Sequence, residues 1–258
     1  MSAQSDYAIL DQKEILQFVF YPRRDYTTPP PNAVDHKITI EHDVMVSCRF
    51  YTCGQTSPSI IYFHGNGEVV SDYDYIAPAY TRLGINLFVV DYRGYGSSSG
   101  VPTFTTLVTD AHVVFKAFRE ILRQGRFTGA VFAMGRSLGS IAAVELALHY
   151  GAEMKGLIIE SGMASMSTLM AHMGLSGQVF RLTPGFPNLT KIREVRLPTL
   201  ILHGEYDSLI PATEGHALYD GSASQDKRLV IIPGAEHNDI MMVGGEEYFG
   251  EISRFVHV

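Results

Sequence analysis

The chain lacks the features that mark several large classes of protein. It has only two cysteines in 258 residues, Cys48 and Cys53. Their separation of five puts them on opposite faces of a regular strand. A bridge between them would need a turn or bulge, and no disulfide scaffold is expected. No apolar run approaches the roughly 18 residues that a membrane span requires, so no integral membrane segment is expected. Basic residues are scattered, with Arg23-Arg24 the one Arg-Arg pair, which argues against a nucleic-acid partner. No two histidines stand four apart, so there is no H-E-x-x-H zinc motif, and no metal or other cofactor is expected. The opening stretch, MSAQSDYAIL, has neither a basic region nor a long apolar one, so no secretory signal is expected there. Net charge is −7, from 20 Lys/Arg against 27 Asp/Glu, which bears on solubility more than on function. The expected location is the cytoplasm. Nothing in the sequence sets an oligomeric state.

What is present is enough for a substantial core. Hydrophobic residues make up 46% and charged residues 18%, and the length suits one domain spanning 1–258. TTPPPN (27–32) separates a short N-terminal segment from the body. HKITIEH and VMVSCRFYT, with His42-Asp43 between them, read as an antiparallel hairpin. Short Val/Ile-rich runs follow at 59–65, 86–92, 130–135, 156–161, 198–204 and 228–234. Near-continuous apolarity of this kind belongs to parallel strands buried on both faces. Most of the intervening segments are long enough for crossover helices. The clearest is 108–125, with Val114, Phe118, Ile121 and Leu122 near one face and Gly125 as a stop. The expected fold class is α/β: a mostly parallel central sheet with an antiparallel N-terminal hairpin and helices on both faces.

One junction carries chemistry. The run AVFAMG ends at Gly135-Arg136-Ser137-Leu138-Gly139 and restarts as SIAAVELALHY. Alone, G-x-S-x-G also suits a serine that caps a helix. A nucleophile projecting from a tight strand-to-helix turn, however, needs strained backbone at its own position. Its neighbours must also be small enough for strand and helix to pass closely. The helix N-terminus supplies free N–H groups and partial positive charge beside that hydroxyl.

A serine nucleophile needs a base, and the base needs an orienting acid. Of ten histidines, His237 stands out because it follows the run RLVIIPG in the loop AEHNDI. His64 belongs to another motif, His203 ends its strand, and His112 and His149 lie in expected helices. Asp207 follows the preceding strand, so it and His237 both lie just past strand C-terminal ends, where open α/β sheets place their sites. Glu160 is the second choice for the acid, and Asp239 is too near His237 in sequence. YFHGNGE (62–68) ends the first parallel run. The oxyanion hole would combine the N–H of Leu138 with that of Asn66 or its neighbour Gly67. DYRGYGSSSG is glycine-rich, but its spacing is not that of a dinucleotide fingerprint, and it reads as a structural loop.

With HGNG, DYRGYGSSSG, GRSLG, HGEYD and EHND in order across residues 59–239, the chain resembles the α/β-hydrolase superfamily of serine hydrolases. HGN, DYRGYG and GRSLGS together are similar to its acyl-protein thioesterase-like and lysophospholipase-like subgroup. The resemblance implies an α/β-hydrolase fold and a small-molecule carboxylic ester or thioester substrate. It also implies an acyl-enzyme on Ser137 with His237 as base and Asp207 as orienter. A serine peptidase or amidase on the same triad, or a non-catalytic binding protein on this scaffold, are the alternatives. The N-terminal membrane helix or lipidation signal of some relatives is not expected here, which weakens a membrane-bound depalmitoylase reading. IIESGMASM has glycine and methionine where the subgroup has proline and an aromatic, so the pocket wall there should differ.

By the same resemblance, a cap-like helical insertion at about 162–196 should cover the site. Met163, Met166, Met170 and Met173 fall at spacings of three, four and three. They form one stripe on a helix, either core or a wall for an apolar substrate group. Leu169 and Phe180 add to it, and TPGFPN (183–188) ends it. Met163, Met166 and Met170 are the candidate substrate-binding residues. Arg136 either pairs with a local acid or meets an anionic group of the substrate.

Overall fold

Residues 7–165 and 187–257 are described by the structure, a computed structural model of the chain. The hairpin forms as the alternation predicts. β1 (Ala33–Glu41) and β2 (Val44–Tyr51) turn at His42-Asp43, with Val34 opposite Phe50 and Ile38 opposite Val46. Cys48 is buried on β2 and Cys53 is exposed beyond it, both as free thiols. The apolar runs become β3 (Ser59–Phe63), β4 (Asn86–Val90), β5 (Val131–Arg136), β6 (Gly156–Glu160), β7 (Thr199–Gly204) and β8 (Lys227–Ile232).

The sheet order is β1-β2-β4-β3-β5-β6-β7-β8, antiparallel at β1–β2 and β2–β4 and parallel from β4 to β8. Strands β3 to β7 are buried along their whole length, as their unbroken apolar character requires. β8 differs from the sequence expectation. As an edge strand it has only one neighbour and is only partly buried.

The pleat sorts each buried run between two cores. On one side Ile61, Phe63, Phe88, Val90, Ala133 and Ile159 pack under α1 (Lys13–Val19), α3 (Phe104–Gln124) and α4 (Ser140–Tyr150). On the other side Ile60, Tyr62, Leu87, Val89, Met134 and Ile158 meet α2 (Ala77–Arg82) and α7 (Ile240–Val256). Helices therefore cover both faces. α5 (Pro187–Ile192) and α6 (Ala212–Gly221) complete the helices of the described residues.

α3 starts four residues earlier than the periodicity implied. The Thr103 hydroxyl accepts from the Thr106 N–H at 3.0 Å, and the Thr106 hydroxyl accepts from the Thr103 N–H at 2.8 Å, a reciprocal cap. α4 is apolar all round because it lies between the sheet and its neighbouring helices. Its one buried acid, Glu145, is matched. One oxygen accepts from His112 Nε2 at 3.0 Å and lies 3.3 Å from His149 Nδ1, and the other accepts from Lys191. That carboxylate ties α3, α4 and α5 together.

The N-terminal segment is not a separate tail. Ile15, Val19 and Phe20 are buried in the core beside α3, and Asp11 accepts from the Phe104 N–H at the start of that helix at 2.8 Å. Of the expected insertion at 162–196, residues 166–186 lie outside the described residues, and with them Met166, Leu169, Met170, Met173 and Phe180. Met163 is described, and it corrects an expectation. It lies in irregular chain after β6, not on a helix. Ser161 has φ +45°, outside the helical region, and residues 161–165 carry no helix.

Candidate active site

The sheet reverses its order of strand addition at β3: β4 lies on one side of it and β5 on the other. Ligand crevices in open α/β sheets form at such a point, beyond the strand C-termini. The loop after β3 is His64-Gly65-Asn66-Gly67, and the turn after β5 carries Ser137. The loops after β7 and β8 bring Asp207 and His237 to the same rim.

The backbone at Ser137 has φ +52°, in the left-handed region that a β-carbon disfavours. The flanking glycines make that turn possible. A Cβ on Gly139 would lie 2.0 Å from the Phe63 carbonyl oxygen, and one on Gly135 would lie 2.3 Å from the Gly139 carbonyl oxygen. Both clashes are with backbone, which has no rotamer to escape into. A short 3-10 turn (Ser137–Gly139) then feeds α4, so the helix start lies beside the serine.

Three side chains distant in sequence form a continuous hydrogen-bonded chain. Ser137 Oγ lies 3.0 Å from His237 Nε2, and His237 Nδ1 lies 2.7 Å from Asp207 Oδ2. Nδ1–H donates to the carboxylate, which leaves Nε2 as acceptor for the serine hydroxyl. The other Asp207 oxygen accepts from the N–H groups of Leu209 at 3.1 Å and Ile210 at 2.7 Å, so the carboxylate is held at both ends. Burial alone would raise its pKa. Hydrogen bonds from His203 and His237 outweigh that and hold it well below the usual carboxylate range.

The competing candidates are engaged elsewhere. His203 Nε2 donates to the Ile210 carbonyl at 2.7 Å and lies 3.5 Å from Asp207 Oδ2, so it flanks the acid from behind. His64 Nε2 bonds buried Asp91 at 3.1 Å. Glu160 accepts from Tyr248 at 2.7 Å and from Arg136 at 3.1 Å, and Asp239 accepts from the Glu236 N–H at 2.7 Å in the turn before α7.

A cavity of about 400 Å3 opens over Ser137. Among the described residues its lining includes Asn66, Leu138, Met163, Leu209, Ile210 and Asn238. Leu138 and Asn66 therefore border the same cavity as the serine. Gly67 is not in the lining. Sequence reasoning missed part of the lining. Val19 and Tyr21, from the N-terminal segment, form a further wall. The Asn66 side chain clips them in place by donating to the Val19 carbonyl and accepting from the Tyr21 N–H at 3.0 Å. Tyr95, from the glycine-rich loop after β4, donates to the same Asn66 oxygen at 2.6 Å. That loop is structural, as read, and buttresses the HGNG turn. The only sequence signal for the N-terminal wall was the Ile15/Val19 pair at helical spacing.

Arg136 pairs with local acids, Glu68 at 2.6 Å and Glu160 at 3.1 Å. No described helix is long and apolar enough to cross a membrane.

Comparison with known proteins agrees with this geometry. A family model described as serine aminopeptidase, S33, matches residues 54–189 and 186–241. Human alpha/beta hydrolase domain-containing protein 17B is 30% identical over 216 residues, covering 82% of this chain and 70% of its own length. The Xenopus tropicalis protein of the same name gives the same identity and coverage. Among solved structures, an esterase of Pyrococcus furiosus superposes with a TM-score of 0.74 at 19% identity, covering 92% of this chain and 98% of its own. Est1E of Butyrivibrio proteoclasticus, with ferulic acid bound, superposes with a TM-score of 0.70 at 16% identity, covering 85% of this chain and 97% of its own. At those identities the structural likeness speaks for the fold, while the family model and the 30% relatives speak for descent. The chain belongs to the α/β-hydrolase family and is, by class, a hydrolase.

Proposed function

We propose that this hydrolase cleaves a carboxylic ester or thioester through an acyl-enzyme formed on Ser137. The observation that carries the reading is the unbroken chain Asp207–His237–Ser137, at 2.7 and 3.0 Å, opening into the cavity. His237 Nε2 takes the hydroxyl proton as Oγ attacks the substrate carbonyl, and then delivers it to the leaving group. Asp207 holds the imidazole in the required tautomer and stabilises the imidazolium. The developing oxyanion is held by the N–H groups of Leu138 and Asn66. Asn66 is preferred to Gly67 because Asn66 lines the cavity and Gly67 does not. Water then attacks the acyl-enzyme with His237 again as base. The apolar part of the lining, Val19, Leu138, Met163, Leu209 and Ile210, suits an acyl chain or other apolar group.

The name of the matching family, an aminopeptidase, keeps amide hydrolysis as a second reading, since the same three residues would carry it. A non-catalytic binder is disfavoured because no member of the triad is missing.

The test combines a fluorophosphonate probe with a panel of p-nitrophenyl esters of rising chain length, a thioester and an aminoacyl anilide. The expected result is labelling and ester or thioester turnover, both abolished in Ser137→Ala, with the variant folded. Turnover of the anilide alone would select the amidase reading. Failure of the wild-type protein to label at all would remove the proposal.

A further inference from the structure

Arg136 sits inside the pentapeptide, next to Ser137, and its side chain is only 7% exposed although it borders the cavity. Three nitrogens point in three directions. Nε donates to Glu160 at 3.1 Å, Nη1 lies 2.6 Å from Glu68, and Nη2 donates to the His237 carbonyl at 2.7 Å and to the Asn238 side chain at 3.3 Å. A guanidinium has five N–H donors, and four of these contacts are to protein acceptors on three separate chain segments. Little is left for an anionic substrate.

What those acceptors hold matters more than their number. Glu68 uses its other oxygen to accept from the Gly65 N–H at 2.9 Å and from Tyr73 at 2.7 Å. It therefore anchors the HGNG turn that carries Asn66. The guanidinium also packs directly on that turn: a Cβ on Gly65 would lie 2.4 Å from Nη1. The His237 carbonyl belongs to the proposed base. Glu160 accepts from Tyr248 at 2.7 Å and Tyr62 at 3.2 Å, which fixes it to α7 and to β3. Arg136 itself is the last residue of β5 and cannot move without Ser137.

We propose that Arg136 is a positioning residue. Through one planar fork it sets the His237 loop and the oxyanion turn relative to Ser137. This rests on the triad reading above. Two carboxylates flank the cation, and burying an arginine between them holds all three only if every partner stays in register. Lysine would retain the charge but not the fork: a single ammonium cannot address three segments that diverge around a plane. The expected consequence is loss of alignment, with substrate binding retained. A displacement of about 1 Å in such a site costs on the order of a hundredfold in rate.

The experiment uses Arg136→Lys, Glu68→Gln and the double variant, assayed on the best ester, each well below its own melting temperature. The wild-type control for Ser137 labelling is run in parallel. If the wild type neither labels nor turns over ester, the triad reading fails. If it does both, the variants judge Arg136. Arg136→Lys should lower kcat tenfold or more with KM changed less than threefold, and slow fluorophosphonate labelling in proportion. The double variant should lose little more than the worse single variant, because both act through the same turn. A folded Arg136→Lys with kcat within twofold of wild type overturns the proposal, as do losses that multiply in the double variant. Should Arg136→Lys fail to fold, Glu68→Gln decides: a fivefold or larger fall in kcat at constant KM supports the inference, and an unchanged kcat overturns it.

Discussion

At the scale of single residues the site depends on orientation as much as on identity. Asp207 meets His237 with one oxygen and two backbone N–H groups with the other. An amide in its place cannot keep both sets of contacts, because its NH2 must face one of these donors. If the amide oxygen stays on the backbone donors, the NH2 faces His237 Nδ1 and forces the opposite tautomer, so Nε2 is protonated and can no longer accept the serine proton. Asp207→Asn should therefore lower kcat by about four orders of magnitude with KM little changed, by analogy with other serine triads. Steady-state kinetics on a p-nitrophenyl ester would measure it. A loss of less than tenfold would mean that another acid orients the base. Serine, histidine and the first-choice acid were readable from the sequence because each follows an apolar run that reads as a parallel strand. The role of Arg136 was not readable, since its acids, Glu68 in the loop after β3 and Glu160 at the end of β6, become its partners only when those two strands lie on either side of β5.

At the scale of elements the strand-to-helix turn at 135–139 is packed directly against backbone. β5 is flanked by β3 and β6, and α4 crosses it so closely that Gly139 rests on the backbone of β3. Gly139→Ala would put a Cβ 2.0 Å from the Phe63 carbonyl oxygen, and the helix would have to lift away. We expect a destabilisation of roughly 1–3 kcal/mol, the usual range for an overpacked interior, together with a fall in kcat greater than the loss of folded protein explains. Urea unfolding and kinetics on the same preparation would separate the two. Wild-type stability in Gly139→Ala would show that the helix start yields freely. The N-terminal segment belongs to this scale as well. The proline-rich stretch after it suggested something apart from the body, yet it packs beside α3 and walls the cavity because Asn66 and Tyr95 offer its backbone partners that only the folded loops supply.

At the scale of the whole molecule two buried carboxylates held below their usual range make stability fall in acid. Burial pushes Glu145 up, but hydrogen bonds from His112 and Lys191 prevail and bring it down to about 2. A carboxyl in the unfolded chain titrates near ~4.3. Between those values the unfolded state binds the extra proton, so stability falls as pH falls. The contribution is complete above about 4.3 and is lost on approaching pH 2. Asp207, also held below the usual range, acts in the same direction. Glu145→Gln should be less stable at pH 7, because Lys191 loses its buried counter-charge, and its stability should depend less steeply on pH between 4.5 and 2. Thermal melts across that range would test the slope. Equal slopes in the two proteins would mean that Glu145 is not depressed.

Sequence alone determined the elements that rest on local rules. Period and residue type marked the strands and the longest helix, and two glycines around a serine marked the turn, because buried pleats and tight backbone crossings admit few residues. It also determined which ends of which strands carry reactive side chains, and so the order Ser137, Asp207, His237. Tertiary structure alone decided which acid faces the imidazole, that Met163 lies off any helix, that Asn66 and not Gly67 lines the cavity, and that a guanidinium joins three loops. Those outcomes depend on distances between segments up to about a hundred residues apart. Such distances are set by strand order and register across the sheet, which no local pattern of residues encodes.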